Sequence, residues 1–167
     1  METMLIILTI IVIIGILTLI YVILSANIKA NQIKIDEAEL VLDDLLNKKY
    51  DLLIGAKNII TKETDINHKI FNDLKKLKEQ NLSIFNFDRK LNESYSLTEQ
   101  IKGDFKTLAA NDKFNKIIQD IKTIDEKLEA TKAFYNKYAK SLNTLIKRFP
   151  INLIAKILHI EVKSSFK

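Results

Sequence analysis

Two histidines and a run of carboxylates are the residues of this 167-residue chain whose types are suited to chemistry. Asp65 and His68 stand three apart, a spacing that puts both side chains on one face of a helix and matches half of a di-iron site in a helical bundle. Such a site needs a second acid–histidine pair and two more inward carboxylates, and the other histidine, His159, has no acid three residues before it. A solvated or helix-capping place is the expectation for both. Asp36, Glu37, Glu39, Asp43 and Asp44 spread around successive turns and read as a solvated face; general acid–base work needs carboxylates in a protected cleft that splits their pKa values. No Gly-rich phosphate loop, G-x-S-x-G or H-E-x-x-H occurs. Without cysteine there is no thiol nucleophile, disulfide framework or Cys-ligated zinc. The expectation is a non-enzymatic protein with no catalytic residue, metal, cofactor or small-molecule substrate.

Patterned polarity of another kind lies near the C-terminus. Lys132, Asn136, Ala139 and Asn143 follow one another at steps of four, three and four, a polar and small stripe beside an apolar one on the same helix. Two stripes imply two contacts: the apolar one packs in a bundle, and the asparagine one meets another helix, from this chain or from a partner. A buried asparagine pair fixes register at some cost in stability. Internal packing and docking are both open readings of this stripe. Phe134, Tyr135, Tyr138 and Phe149 lie in the same basic region, but the tyrosines and Phe149 fall on the apolar stripe, so burial is expected and nucleic acid is not.

The elements that must position these residues begin with residues 4–24, 21 residues without a charge, the length a helix needs to cross a bilayer. The chain opens Met-Glu-Thr with no Lys or Arg before Lys29, and Leu24-Ser25-Ala26 is a poor cleavage site, so an uncleaved single-span anchor is expected rather than a signal peptide. Glu2 on one side and Lys29, Lys34, Lys48 and Lys49 on the other favour a cytoplasmic C-terminal domain. Residues 1–27 form the anchor and residues 28–167 one domain, too short for two. Three Gly, one Pro and no Trp argue for long helices. The net charge is +5, and residues 132–167 hold eight basic residues against Glu161 alone.

Apolar residues at Ile35, Ala38, Leu42, Leu45, Leu52, Ala56 and Ile59 make a heptad stripe with Lys49 in its one gap, and no Gly or Pro separates it from the span, so one helix is expected to run through both. Gly55 marks a close approach or a soft point. A polar turn at residues 61–65 leads to a second series at Ile66, Ile70, Leu74, Leu77, Ile84 and Leu91; a break follows at residues 92–96, then a shorter helix over 97–108. Asn111-Asp112 caps the longest helix, with Ile117, Ile121, Ile124, Leu128, Thr131, Tyr135, Tyr138, Leu142, Leu145 and Phe149 on its stripe. Pro150 ends it and starts a short return helix whose Ile151, Ile154, Ile157 and Leu158 face the bundle, with Lys156 and Lys163 outward. Single-stripe helices owe their stability to burying that stripe, so these must bundle.

The segment from Lys132 to Ala155 resembles the LemA family of bacterial membrane-anchored helical proteins. The family pattern has Arg-x-x-Tyr-Asn, a second Asn seven residues on, then Phe-Pro-x-Asn-x-Ile-Ala; its counterparts here are Tyr135, Asn136, Asn143, Phe149, Pro150, Asn152, Ile154 and Ala155. A basic-x-Asp-Leu stretch on the first helix is matched by Lys48, Lys49, Asp51 and Leu52. Lys132 replaces the usual Arg, and the Tyr-Pro often seen before the long helix is absent from residues 103–111. The resemblance implies an all-α fold, an N-terminal transmembrane helix followed by an antiparallel bundle of long helices, in the bacterial cell membrane. It implies no reaction. The expected role is a scaffold or adaptor that binds a protein partner or its own copies at the membrane. The alternative is a self-associating membrane-remodelling protein whose basic C-terminal segment touches anionic lipid.

Overall fold

Between Gly15 and Gly55 the chain has no helix breaker, and in the computed structural model a single helix, α1 (Glu2–Thr64), runs from the apolar segment into the polar domain. The structure describes residues 2–64, 69–80 and 82–166. These are 85% helical, with no strand among them. The remaining helices are α2 (Lys69–Lys76), α3 (Ile84–Asp104), α4 (Lys106–Ala109), α5 (Asp112–Leu145) and α6 (Ile151–Ile157). Asp65 and His68 lie outside the described residues.

The chain divides into two compact units, Met1–Glu37 with Phe134–Lys167, and Ala38–Ala133. In the first, every described residue up to Ile23 is exposed. This is the one helix among the described residues long and apolar enough to cross a membrane. The hydroxyls of Thr9 and Thr18 donate to the carbonyls of Leu5 and Ile14, 2.8 Å each, so neither is left unpaired in an apolar surrounding. Cover over α1 begins at Leu24 and Ser25, and Ile28 and Ile35 are fully buried. Buried Tyr135, Ala139 and Leu142 supply the facing side of α5, with Ile146 just beyond its end, joined by Ile151, Ile154 and Ala155 of α6.

The second unit is an antiparallel bundle. Gly55 of α1 is the close approach: a Cβ there would lie 3.4 Å from Ile117 Cδ1 on α5. Its core holds Leu42, Leu46, Leu53, Ala56 and Ile60 of α1, Phe71 and Leu74 of α2, Leu91 of α3, and Phe114, Ile118, Ile121 and Leu128 of α5. The buried face of α1 is turned slightly from the expected one: Leu53 and Ile60 are inside, while Leu52 and Ile59 are half-buried. Asn111 caps α5, accepting from the Phe114 amide at 3.0 Å.

Two expected boundaries need correction. The second helical segment is not continuous to Leu91: it stops after α2 and restarts at α3, where Ser83 accepts from the Asn86 amide. The expected break at residues 92–96 does not exist, because α3 runs through it. Its polar residues are helical rather than in a loop: Ser94 is buried and its Oγ donates to the Lys90 carbonyl, Asn92 Oδ1 receives a lysine from α1 at the helix edge, and Glu93 and Ser96 face solvent. Two further residues are placed differently from expectation. Phe149 is 79% exposed and Ile157 68% exposed, since α6 turns Ile151, Ile154 and Ala155 inward instead.

Candidate interaction site

Asn136 and Asn143 sit on the last three turns of α5, seven residues apart, which on a helix is nearly two full turns and about 10.5 Å along the axis. Their amides therefore point the same way. Each grips the backbone amide and carbonyl of one residue of the C-terminal segment. Asn143 Nδ2 donates to the Lys163 carbonyl at 2.7 Å and its Oδ1 accepts from the Lys163 amide at 2.8 Å. Asn136 does the same to Phe166, at 3.0 and 2.8 Å. Three residues of extended chain span about 10 Å, so the helical seven and the extended three are commensurate. An Asn side chain carries the donor and acceptor of a peptide edge, and the pair replaces two rungs of a β-ladder.

The rest of the local sequence serves this geometry. Ala139 lies between the two asparagines along the helix and is fully buried. Phe166 is buried, its ring edge-on to Tyr135 at 5.3 Å and 81°. The segment reaches α5 because α6 ends in a left-handed residue. His159 has φ 51°, the Ile160 amide donates to the Ala155 carbonyl at 2.9 Å, and the His159 amide donates to the Lys156 carbonyl at 3.2 Å, a Schellman cap. His159 thus takes a capping place. Beside the strand, a cavity of about 540 Å³ is lined by Asn136, Lys140, Asn143, Thr144, Lys147, Arg148 and Ser165, a basic cleft.

Lys132, grouped with the asparagines by spacing, has a different job within the second unit. Its ammonium contacts Asp88 Oδ2 of α3 at 2.8 Å and Glu129 Oε1 at 3.1 Å. Burial alone would lower its pKa; the hydrogen bonds and charges of Asp88 and Glu129 outweigh that and hold it above the ordinary lysine value. Asp88 also accepts from Asn92 Nδ2 at 3.4 Å. Lys49 of α1, fully buried, donates to Asn92 Oδ1 at 2.7 Å and to Asp125 Oδ1 of α5 at 2.5 Å, and lies 5.3 Å from the Tyr95 ring centroid. Tyr95 donates to Glu99 at 2.8 Å, and burial first, then Glu99, raises its pKa. Lys49, Asn92 and Asp125 tie three helices at one level, a register device more than a source of stability. The composition offered one signal of it, a lysine in the gap of an apolar heptad stripe.

The remaining motif residues have structural places. Pro150 precedes α6 as its N-cap, Ile154 and Ala155 are buried, and Phe149 is exposed. The side-chain oxygen of Asn152 and the hydroxyl oxygen of Ser25 are buried without a hydrogen-bond partner among the described residues. Asp36, Glu37, Asp43 and Asp44 are exposed and Glu39 is half-buried. No group of three or more His, Cys, Asp or Glu converges on a metal position among the described residues.

A long apolar N-terminal helix carried into an all-α bundle, with an asparagine-clamped C-terminal segment on its last long helix, defines a class of helical protein with one candidate membrane span. The LemA family model matches residues 40–167, and the chain belongs to the LemA family. No curated protein and no solved structure matches it.

Proposed function

We propose that this protein is a single-pass, membrane-anchored adaptor without enzymatic activity, whose α5 asparagine face receives an extended segment of a partner protein. Its domain stands on the cytoplasmic side of a bacterial membrane, in keeping with the lysines that follow the span. One observation carries the reading: Asn136 and Asn143 grip main-chain groups, and main-chain recognition tolerates a change of side chains in the bound strand. The chain's own C-terminal segment is the resident ligand. Lys140, Lys147 and Arg148 in the adjoining cleft favour an acidic segment.

Energetics make exchange feasible. Four hydrogen bonds at about 1 kcal/mol each, burial of Phe166 at about 2 kcal/mol and its ring contact at about 1 kcal/mol total about 7 kcal/mol. Ordering the backbone of residues 160–166 costs about 1 kcal/mol or slightly more per residue, nearly the same sum. A strand held so close to balance yields to a competitor. The tail of a second copy carries the same groups, which supports self-association as the second reading, with the basic C-terminal segment on anionic lipid.

The test is a chain ending at residue 159, reconstituted in nanodiscs, with a fluorescent peptide of residues 160–167. Saturable binding that disappears in the Asn136→Leu, Asn143→Leu double variant is expected. A truncated chain with unchanged helicity that ignores the peptide would remove the adaptor reading at this face.

A further inference from the structure

The exposed apolar side of the α5–α6 turn lies outside the asparagine clamp, although Lys147 and Arg148 at its edge also line the clamp's cleft. Phe149, Leu153 and Ile157, four residues apart in succession, are 79%, 51% and 68% exposed, while the opposite side of α6 is buried through Ile151, Ile154 and Ala155. Lys147, Arg148 and Lys156 are exposed around them. This is the composition of an interfacial helix, apolar on one side with basic residues at its edge.

Its place in the unit identifies what covers it. Within this unit the buried stretch of α1, Ile28 to Ile35, faces the buried stretch from Tyr135 to Ile146, and in an antiparallel pair the turn that follows Ile146 stands near the level where cover on α1 begins. Burial along α1 agrees, since its cover starts at Leu24 and Ser25 and is complete at Ile28. The uncharged run ends at Leu24. A span of about 20 residues fills the hydrocarbon, and the headgroup layer adds roughly 6 Å on each side, the depth of one helical turn beyond Leu24. The α5–α6 turn therefore stands at the level of the headgroups.

We infer that α6 and the turn before it form a second membrane contact: Phe149, Leu153 and Ile157 enter the interface of the leaflet from which α1 emerges, and Lys147, Arg148 and Lys156 engage anionic lipid phosphates. The inference rests on residues 4–24 crossing the bilayer, and it goes beyond the adaptor reading by giving the unit that holds the span a second contact with the surface. Charge complementarity selects anionic lipid, since no acid lies among residues 145–160.

The absence of cysteine makes the experiment clean. The full chain is reconstituted in vesicles of phosphatidylcholine alone or with phosphatidylglycerol, with a polarity-sensitive fluorophore on Leu153→Cys or Ile157→Cys and nitroxide lipids as quenchers. Ile13→Cys in the span and exposed Thr123→Cys serve as references. Both α6 probes are expected to be quenched by headgroup-level nitroxides well above the Thr123 position, and more so in anionic vesicles. Replacing Lys147, Arg148 and Lys156 by Gln should return anionic vesicles to the neutral level, with the equilibrium constant of the contact falling by about fivefold per charge removed. Quenching no greater than at Thr123, or an apolar probe environment without lipid quenching, overturns the inference and in the latter case assigns the face to a protein. Absence of deep quenching at Ile13 would instead overturn the anchor, and this contact with it.

Discussion

Removing Asp125 and removing Lys49 should have very different consequences, although the two form one ion pair. Lys49 is fully buried, and Asp125 keeps 30% of its side chain exposed. Asp125→Ala leaves the ammonium inside with Asn92 Oδ1 as an acceptor and the Tyr95 ring nearby. Loss of one partner of a buried pair costs about 3 to 5 kcal/mol, and the partial exposure of Asp125 puts this case near about 3 kcal/mol. Lys49→Met removes the buried charge, fills the volume with an apolar chain, and leaves Asp125 open to water. Its net effect should lie within about 1 kcal/mol of zero. For a domain of this size the first loss lowers Tm by about 10 °C. Thermal and urea unfolding of the full chain in detergent, followed by far-ultraviolet circular dichroism, measures both. If Lys49→Met were as damaging as Asp125→Ala, the pair would be a net source of stability and its description as a register device would be wrong.

Other outcomes follow from the same geometry. Gly55→Ala should raise stability by up to about 1 kcal/mol, because the new methyl meets only the movable Ile117 Cδ1 at 3.4 Å; a loss in urea unfolding would mean that α1 and α5 cannot yield there. Asn143→Leu removes two main-chain bonds, so hydrogen exchange at the Lys163 amide should accelerate by about tenfold or more. Protection equal to wild type would deny the clamp. Lys57, whose pKa is lowered by burial and then by Lys75, charges less readily in the folded chain than in the unfolded one. Lys57→Met should therefore stabilise at pH 7, with the gain fading as pH rises through the depressed folded pKa toward 10.5. Lys132 has the opposite sign: its contribution is present below pH 10.5 and is lost as pH rises through its raised folded value, so Lys132→Met should cost stability at pH 8 and less above pH 11. Unfolding midpoints across that range decide both.

Helix periodicity carried most of the architecture, because a stripe at steps of three and four has one physical use, burial against another helix. It failed where polar residues were given their most frequent role. Asn92 and Ser94 looked like a loop by type, yet a lysine from α1 and the Lys90 carbonyl satisfy them inside α3. Lys49 filled a visible gap in the stripe, but its partners lie 43 and 76 residues away, beyond any local pattern. The spacing of Asn136 and Asn143 was legible as a face; that the face would hold an extended strand depends on the cap at His159, which returns the chain along α5. Phe149 and Ile157 were assigned inward by periodicity, which does not distinguish a residue facing a core from one facing a membrane surface.

The most direct test of the adaptor is crosslinking in living cells, with the full-length protein carrying a photoreactive residue at Lys140 or Thr144 beside the clamp, followed by mass spectrometry of the captured neighbours. A reproducible heterologous protein, linked through an extended acidic segment and lost in the Asn136→Leu, Asn143→Leu variant, is the predicted result. Links confined to this chain's own tail and to other copies of it would contradict an adaptor and leave a self-assembling membrane protein.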